Sequence, residues 1–116
     1  MMDYVFRVLT VGWMALIFFL SSQPVPPIPF ASLGADKLLH TIVYAILAFL
    51  LFRSLFLDGV MTWKRVLLVT ALVTLYGVTD EFHQSFVPGR QVSGWDVLAD
   101  GLGGAIATAL MRWRAV

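Results

Sequence analysis

Charge is scarce in this chain, and cysteine is absent. Only 13% of the 116 residues are charged and 59% are hydrophobic, whereas soluble domains have about 25% charged and about 45–50% apolar residues. The composition therefore indicates a membrane protein. Without cysteine, disulfides, thiolate catalysis and cysteine metal sites are excluded. A net charge of +1, with no basic run, gives no support for a nucleic-acid partner.

The chain is instead rich in long apolar runs, and four of them reach the length of a membrane span. A spanning helix needs about 20 mostly apolar residues. Helices are predicted at about residues 4–21, 37–57, 63–84 and 95–113. The connection after the first run, "SQPVPPIPFASLGA", is rich in proline, which a helix interior does not accommodate. The sequence therefore predicts one all-α domain over residues 1–116, an integral membrane four-helix bundle with four transmembrane helices.

The first apolar run has a second explanation. A cleaved signal peptide is also apolar and ends in small residues, as this run does at "SSQ". The residues before it carry little charge, however, and the run is long for a signal peptide. We therefore favour a retained first span, which gives an even number of crossings and places both termini on one side of the membrane.

The distribution of Lys and Arg indicates which side that is, because cytoplasmic loops carry more of both. With the termini in the cytoplasm, the basic residues at the inner face are Arg7, Arg53, Lys64, Arg65, Arg112 and Arg114. Only Lys37 and Arg90 are then on the outer side. The sequence thus predicts a multi-pass protein of the cell (inner or cytoplasmic) membrane with both termini cytoplasmic.

Ionisable residues on three of the predicted helices fall at a similar depth. Counted from the cytoplasmic arginines at about 1.5 Å per residue, these are His40, Asp80 and Asp100 at about 18–22 Å, and Asp36, His83 and Asp96 at about 24–27 Å. Ionisable residues inside a membrane normally face the bundle interior or a water-filled cavity. We therefore expect an outward-facing polar site between the last three helices, in the outer part of the bilayer.

Helical spacing supports the same site, because residues three or four apart share a face. The faces consist of Asp36, His40 and Tyr44; of Tyr76, Asp80 and His83 or Gln84; and of Asp96 and Asp100. The third face continues into "GLGGAIATA", whose small residues let helices approach closely in lipid. The alternative is that these polar residues are interfacial and cap helix ends, a common role of Asp.

The residue types at this level can support catalysis, because histidine titrates near neutral pH and a carboxylate can orient it. The candidate catalytic residues are His40, Asp80, Glu81 and His83. Lys37 and Arg90 could bind a phosphate, Arg through its bidentate fork. Histidines and carboxylates could also hold a divalent metal ion. The two histidines lie on different helices and match no metal motif, so no metal ligand is assigned.

Three motifs occur in a recognisable order: "DKLLH", "DEFHQSFVPGR" and "SGWDVLAD". Together with "FFLSSQP" at the end of the first run, they resemble the VanZ-like family of small integral membrane proteins. The resemblance covers nearly the whole chain. The founding member of that family is associated with resistance to the glycopeptide antibiotic teicoplanin. The resemblance therefore implies the fold, a role in the cell envelope and a link to antibiotic resistance.

The family pattern also suggests residues that bind a substrate. They are Asp36, Lys37, Tyr44, Gln84, Arg90, Ser93, Asp96 and Asp100. Many relatives carry asparagine at the position of Asp100. An amide could bind a polar group but could not act as a base, so this departure weakens any scheme that needs a carboxylate at position 100.

We expect the site to bind or act on a lipid-linked cell-envelope substrate, such as a lipid-linked phosphate, or on a glycopeptide-type amphipathic antibiotic. Three alternatives stay open. The protein could be a non-catalytic binding or protective protein, a small proton-coupled transporter, or a bundle that the polar network merely holds together. The sequence does not determine whether the protein is an enzyme or an oligomer. The expected partner is the lipid bilayer.

Overall fold

The computed structural model describes residues 2–23, 33–89 and 94–114, with side chains described for 4–23, 37–89 and 94–114. The helices are α1 (Met2–Ser21), α2 (Leu33–Leu55), α3 (Trp63–Gln84) and α4 (Gly94–Arg114). The predicted all-α class is therefore confirmed. The side chain of Asp36 and the candidate site residues Arg90 and Ser93 lie outside the described part of the chain.

The first three helices pack side by side in alternating directions. Tyr76 donates a hydrogen bond to the Met14 carbonyl at 2.7 Å, and Ser21 donates to Asp80. The later residue of α1 contacts the later residue of α3 in these two pairs, so α1 and α3 run in the same direction. Thr10, early in α1, is 2.6 Å from Ser54 at the end of α2, so α2 runs the opposite way.

The fourth helix packs along α2 and α3. Asp100, early in α4, bonds to His40, which is early in α2. Thr108, late in α4, is 3.3 Å from Thr70, which is early in α3. α4 is therefore parallel to α2 and antiparallel to α3, and the four helices form an up-and-down arrangement.

Glycine allows α4 to lie very close to α2. A Cβ atom at Gly103 would lie 2.2 Å from the carbonyl oxygen of Thr41. The obstacle is backbone, so no change of rotamer could make room for a side chain. The "GLGGAIATA" segment thus acts as the predicted small-residue contact surface.

Three of the helices are long and apolar enough to cross a membrane: Tyr4–Ser21, Lys37–Leu55 and Trp63–Gln84. α4 is not among them, because aspartates and glycines interrupt its apolar residues. The outside of the bundle is apolar nevertheless: Val8, Leu67 and Trp95 are 67–71% exposed. A surface of this kind is consistent with a lipid environment and unusual for a protein in water.

The two ends of the bundle differ in charge. The end with the described chain termini is basic: Arg53 lies 4.7 Å from the ring centre of Phe6. In the α2–α3 turn, Arg65 donates a 2.7 Å hydrogen bond to Asp58. That bond holds the pKa of the exposed Asp58 carboxyl below its ordinary value. The described carboxylates of α3 and α4, Asp80, Glu81, Asp96 and Asp100, gather at the opposite end of the bundle.

Candidate functional site

Seven polar side chains from α2, α3 and α4 meet at that opposite end. We call them the polar cluster: Lys37, His40, Tyr44, Asp80, Glu81, Asp96 and Asp100. Five of the seven residues are at most 5% exposed. Their convergence follows from the helical spacing that put each set on one face. The seven were all among the predicted catalytic or substrate-binding residues.

The best-defined contact joins His40 of α2 to Asp100 of α4. Their Nδ1 and Oδ1 atoms are 2.7 Å apart, and Asp100 is fully buried. A carboxylate can only accept here, so His40 carries a proton on Nδ1. The second oxygen of Asp100, Oδ2, accepts no hydrogen bond from a described residue.

The Nε2 side of the His40 ring lies near two further carboxylates. Nε2 of His40 lies 3.9 Å from Oδ2 of Asp96. Glu81 of α3 completes the group, and one oxygen or ring nitrogen from each of the three residues lies within 4.8 Å of the others. Lys37 forms an ion pair with the other oxygen of Asp96, Oδ1.

Asp80 forms a second branch of the cluster. Ser21 of α1 donates to its Oδ1, and the Tyr44 hydroxyl lies 3.4 Å from its Oδ2. The Tyr44 ring also stacks on His40, with ring centres 6.4 Å apart and planes 13° apart. Tyr44 therefore connects the Asp80 branch to the His40 branch.

Room for Asp100 depends on a glycine that the sequence analysis did not single out. A Cβ atom on Gly77 of α3 would lie 2.7 Å from Oδ2 of Asp100 and 3.1 Å from its Cβ. Gly77 thus lets the carboxylate lie directly against α3. A glycine inside an apolar run carries no sign of what it faces, so no sequence signal pointed to this contact.

His83 lies apart from His40. Its Nε2 is 2.8 Å from the Ser22 hydroxyl, and its ring stacks on Phe18, with centres 4.3 Å apart. Both partners belong to the α1 end, whereas His40 contacts α4. The structure therefore does not bring the two predicted catalytic histidines into one group.

The contribution of α1 was not predicted. The expected site lay between the last three helices, yet Ser21, Ser22 and Phe18 contact Asp80 and His83. The available signal was "FFLSSQP", whose serines follow directly on the apolar run. They were interpreted as a span boundary rather than as partners of the polar residues.

A small cavity lies beside the Asp80 branch. Its volume is about 80 Å³, enough for several water molecules. The polar lining residues are Ser21, His40, Tyr44, Asp80 and Gln84, and apolar side chains of α1 and α2, such as Leu20 and Leu39, line the rest. A groove of about 550 Å³ between α3 and α4 has mostly apolar walls and is not lined by any of these carboxylates. A second groove, of about 490 Å³ between α2 and α4, is also mostly apolar but has Lys37 of the polar cluster in its wall.

Comparison with known proteins identifies the family. The profile of the VanZ/LLP1 family matches residues 6–115. The chain belongs to the VanZ/LLP1 family. The resemblance inferred from the three motifs is therefore confirmed. No curated protein and no solved structure matches the chain.

In this VanZ/LLP1 protein the polar cluster has an excess of negative charge. Its four carboxyl groups are Asp80, Glu81, Asp96 and Asp100, and its one ammonium group is Lys37. The described side chains of the cluster thus hold four carboxyl groups against one ammonium group. The cluster can therefore attract a cation, donate hydrogen bonds from Tyr44 and Lys37, and exchange a proton at His40.

Proposed function

We propose that this VanZ/LLP1 protein crosses the cell membrane four times, with both termini in the cytoplasm, and binds the polar headgroup of a lipid-linked cell-envelope molecule at its polar cluster. The binding site would then lie in the outer part of the bilayer. The observation that carries the proposal is the cavity at the cluster, whose walls are partly ionisable and partly apolar.

The position of α4 supports a fourth span. Because α4 lies along α2 and α3, lipid that surrounds those two helices would also surround α4. Its outward face consists of Leu98, Leu102 and Ile106, which are 44–59% exposed. Its aspartates are buried toward the other helices. The low overall hydropathy of α4 therefore reflects its inner face, which lipid does not contact.

The basic end of the bundle supports the orientation. Arg53 and Arg65 lie at the end that holds the described termini, and cytoplasmic segments are enriched in Lys and Arg. The polar cluster lies at the other end. A ligand approaching it comes from the outer leaflet or from the outer water phase.

The cavity favours a lipid headgroup over a whole antibiotic. A drug-sized ligand needs about 300–1,000 Å³, and the cavity holds about 80 Å³. Leu20 and Leu39 lie in its wall with His40 and Asp80. An amphipathic lipid can place a small polar group on the ionisable residues while its chain stays against the apolar helices.

A transport function receives less support. A proton relay across the membrane needs polar groups at every depth. In the described part of the chain, the middle of the bundle is filled by Leu47, Phe52, Val69 and Val73, which are at most 2% exposed. The described side-chain contacts nearer the basic end join hydroxyl groups, Thr70 with Thr108 and Thr10 with Ser54, which are not ionisable.

The test is binding of a polyprenyl phosphate to purified protein in lipid nanodiscs, measured by native mass spectrometry. We expect saturable binding of the phosphate but not of the neutral polyprenol. Lys37→Gln and His40→Gln should each weaken it at least tenfold, equivalent to about 1.4 kcal/mol, because each removes a positively charged or hydrogen-bond-donating group that a phosphate can contact. Release of inorganic phosphate in the same samples would show that the protein is an enzyme rather than a binder.

Ser54→Ala is the matched control. It also removes a buried side-chain hydrogen bond, to Thr10 at 2.6 Å, but at the opposite end of the bundle. Its affinity should equal that of the wild type. Equal loss in Ser54→Ala and His40→Gln would mean that the polar residues act only on stability. Binding of teicoplanin in place of the lipid would contradict the choice of ligand.

A further inference from the structure

We propose that His40, Glu81 and Asp96 together bind one divalent transition-metal ion, of the Zn²⁺ or Mn²⁺ class. The three residues come from α2, α3 and α4, so only the folded bundle brings them together. One potential ligand atom from each lies within 4.8 Å of the other two. An imidazole nitrogen with two carboxylates is a ligand set that suits these metals better than Mg²⁺ or Ca²⁺.

The distances are close to those of a bound ion. Ligands about 2.1 Å from a tetrahedral zinc ion are about 3.4 Å apart. Nε2 of His40 and Oδ2 of Asp96 are already 3.9 Å apart. Separations of up to 4.8 Å reach the value of a tetrahedral site when each side chain moves by less than about 1 Å toward the ion.

Asp100 prepares His40 for this role. A metal-binding histidine almost always donates its other ring N–H to a carboxylate or carbonyl, which fixes the tautomer and the ring orientation. Asp100 accepts from Nδ1 at 2.7 Å and directs Nε2 toward Asp96. Asp100 is fully buried, and Gly77 leaves the room that its carboxylate needs. This outer contact is independent of the three ligands and points to the same ion.

Lys37 orients the second carboxylate. It pairs with Oδ1 of Asp96, so Oδ2 remains directed at His40. The ammonium offsets one of the four negative charges of the cluster, and a divalent ion would offset two more. The same charge argument makes a phosphate unfavourable in the cluster without a cation.

The other polar residues nearby are less suited to bind the ion. Both oxygens of Asp80 face hydroxyl groups, those of Ser21 and Tyr44. His83 contacts Ser22 and Phe18 at the α1 side. Three protein ligands leave at least one coordination position open, as catalytic and ligand-binding metal sites do. The role of the ion as the contact for a headgroup phosphate rests on the proposed function, whereas its binding does not.

The experiment uses the full chain, purified in detergent, stripped with a chelator and titrated with Zn²⁺ and with Mn²⁺. We expect one ion per chain and a higher melting temperature on binding. His40→Ala, Glu81→Gln and Asp96→Asn should each weaken binding at least a hundredfold. Asp100→Ala should weaken it about 10–100-fold, as expected for the loss of an outer-sphere partner.

Asp80→Asn is the matched control for metal binding, because it removes one carboxylate charge from the same end of the bundle. It should leave the affinity for the ion nearly unchanged, because the described contacts of its two oxygens are with Ser21 and Tyr44 and not with the three ligands. No saturable binding by the wild type would overturn the proposal. So would an Asp80→Asn variant that binds as weakly as Asp96→Asn, since the effect would then be one of net charge.

A measurement on the wild type alone covers the case in which the variants do not fold. X-ray absorption of the zinc-loaded protein should show one imidazole and a remainder of oxygen ligands. Two imidazoles would overturn the assignment, because His83 would then be a ligand. Lipid binding that survives complete removal of the ion would refute its role at the headgroup and leave the proposed function standing. Ion binding without lipid binding would refute the proposed function and leave the metal site standing.

Discussion

Asp100 shows how one residue depends on three helices. A charged side chain at the centre of a span costs about 2.5–3.5 kcal/mol on the insertion scale, so it needs compensation from its surroundings. His40 supplies a hydrogen bond from α2, and Gly77 supplies space on α3. Neither feature would be needed if Asp100 lay in the headgroup layer as a simple helix cap. Burial with a specific partner therefore argues against the interfacial explanation for this residue.

Gly77→Ala should destabilise the protein, although alanine is normally better than glycine in a helix by about 1 kcal/mol. The new Cβ would lie 2.7 Å from Oδ2 of Asp100. We expect a loss of about 1–3 kcal/mol, the usual cost of overpacking. Unfolding in mixed detergent micelles, followed by circular dichroism, measures the change.

Two comparisons identify the cause. Gly12→Ala in α1 should be neutral or stabilising, because nothing lies within 4 Å of the added Cβ. Gly77→Ala should also cost less in an Asp100→Ala background, where the carboxylate is gone. A Gly77→Ala variant as stable as Gly12→Ala would mean that α3 and α4 are not in close contact at Gly77 and Asp100.

Single residues also show where sequence reasoning reached its limit. The spacing on α3 left open whether His83 or Gln84 shares a face with Asp80. Gln84 is buried and lines the cavity with Asp80, whereas His83 turns toward Ser22. Helical periodicity places both residues within one turn of Asp80, and only the position of α1 distinguishes them.

At the scale of the helices, apolar runs were sufficient to predict that four helices exist. The predicted ends of the helices differ from the observed ones: α2 begins at Leu33, about one turn before the predicted start at residue 37. The prediction used the charged Lys37 as the border of the apolar run. Nothing in "LGA" stops a helix, however, so the helical hydrogen bonds continue beyond the apolar segment.

The close contact of α4 with α2 leads to a prediction about two neighbouring glycines. Gly103→Ala would place a Cβ 2.2 Å from a backbone oxygen of α2 and should force the helices apart. We expect a loss of about 3 kcal/mol or more. Gly104→Ala would place its Cβ 3.2 Å from Cγ1 of Val73, a side chain that can yield, and should cost less than about 1 kcal/mol.

The order of the two effects is the test, because both variants add the same group to the same helix. Thermal unfolding in one detergent gives the comparison. Gly103→Ala should also weaken zinc binding, since His40 and Asp100 pair across the same interface. Equal stability of the two variants, or a greater loss for Gly104→Ala, would contradict the packing of α4 on α2.

At the scale of the whole molecule, charge separates the two ends of the bundle. Depth counting placed the ionisable residues of three helices at one level, and the structure brings those of the polar cluster into contact. The depth of a residue along its helix does not predict which helices are neighbours around the bundle. Lateral order depends on long-range contacts, such as that of Gly103 with Thr41, which no local pattern encodes. For that reason the contribution of α1 and the separation of the two histidines were not foreseen.

The proposed membrane topology predicts which single cysteines react with a membrane-impermeant maleimide added to intact cells. The chain has no native cysteine, so each variant reports one position. Ser93→Cys, between α3 and α4, should be labelled from outside. Val60→Cys in the exposed α2–α3 turn and Trp113→Cys near the end of α4 should react only after permeabilisation, because six of the eight basic residues are on their side. Labelling of both Ser93→Cys and Trp113→Cys from outside would mean that α4 does not cross the membrane. Labelling of Val60→Cys and Trp113→Cys from outside, with Ser93→Cys protected, would mean that the topology is inverted and that the polar cluster faces the cytoplasm.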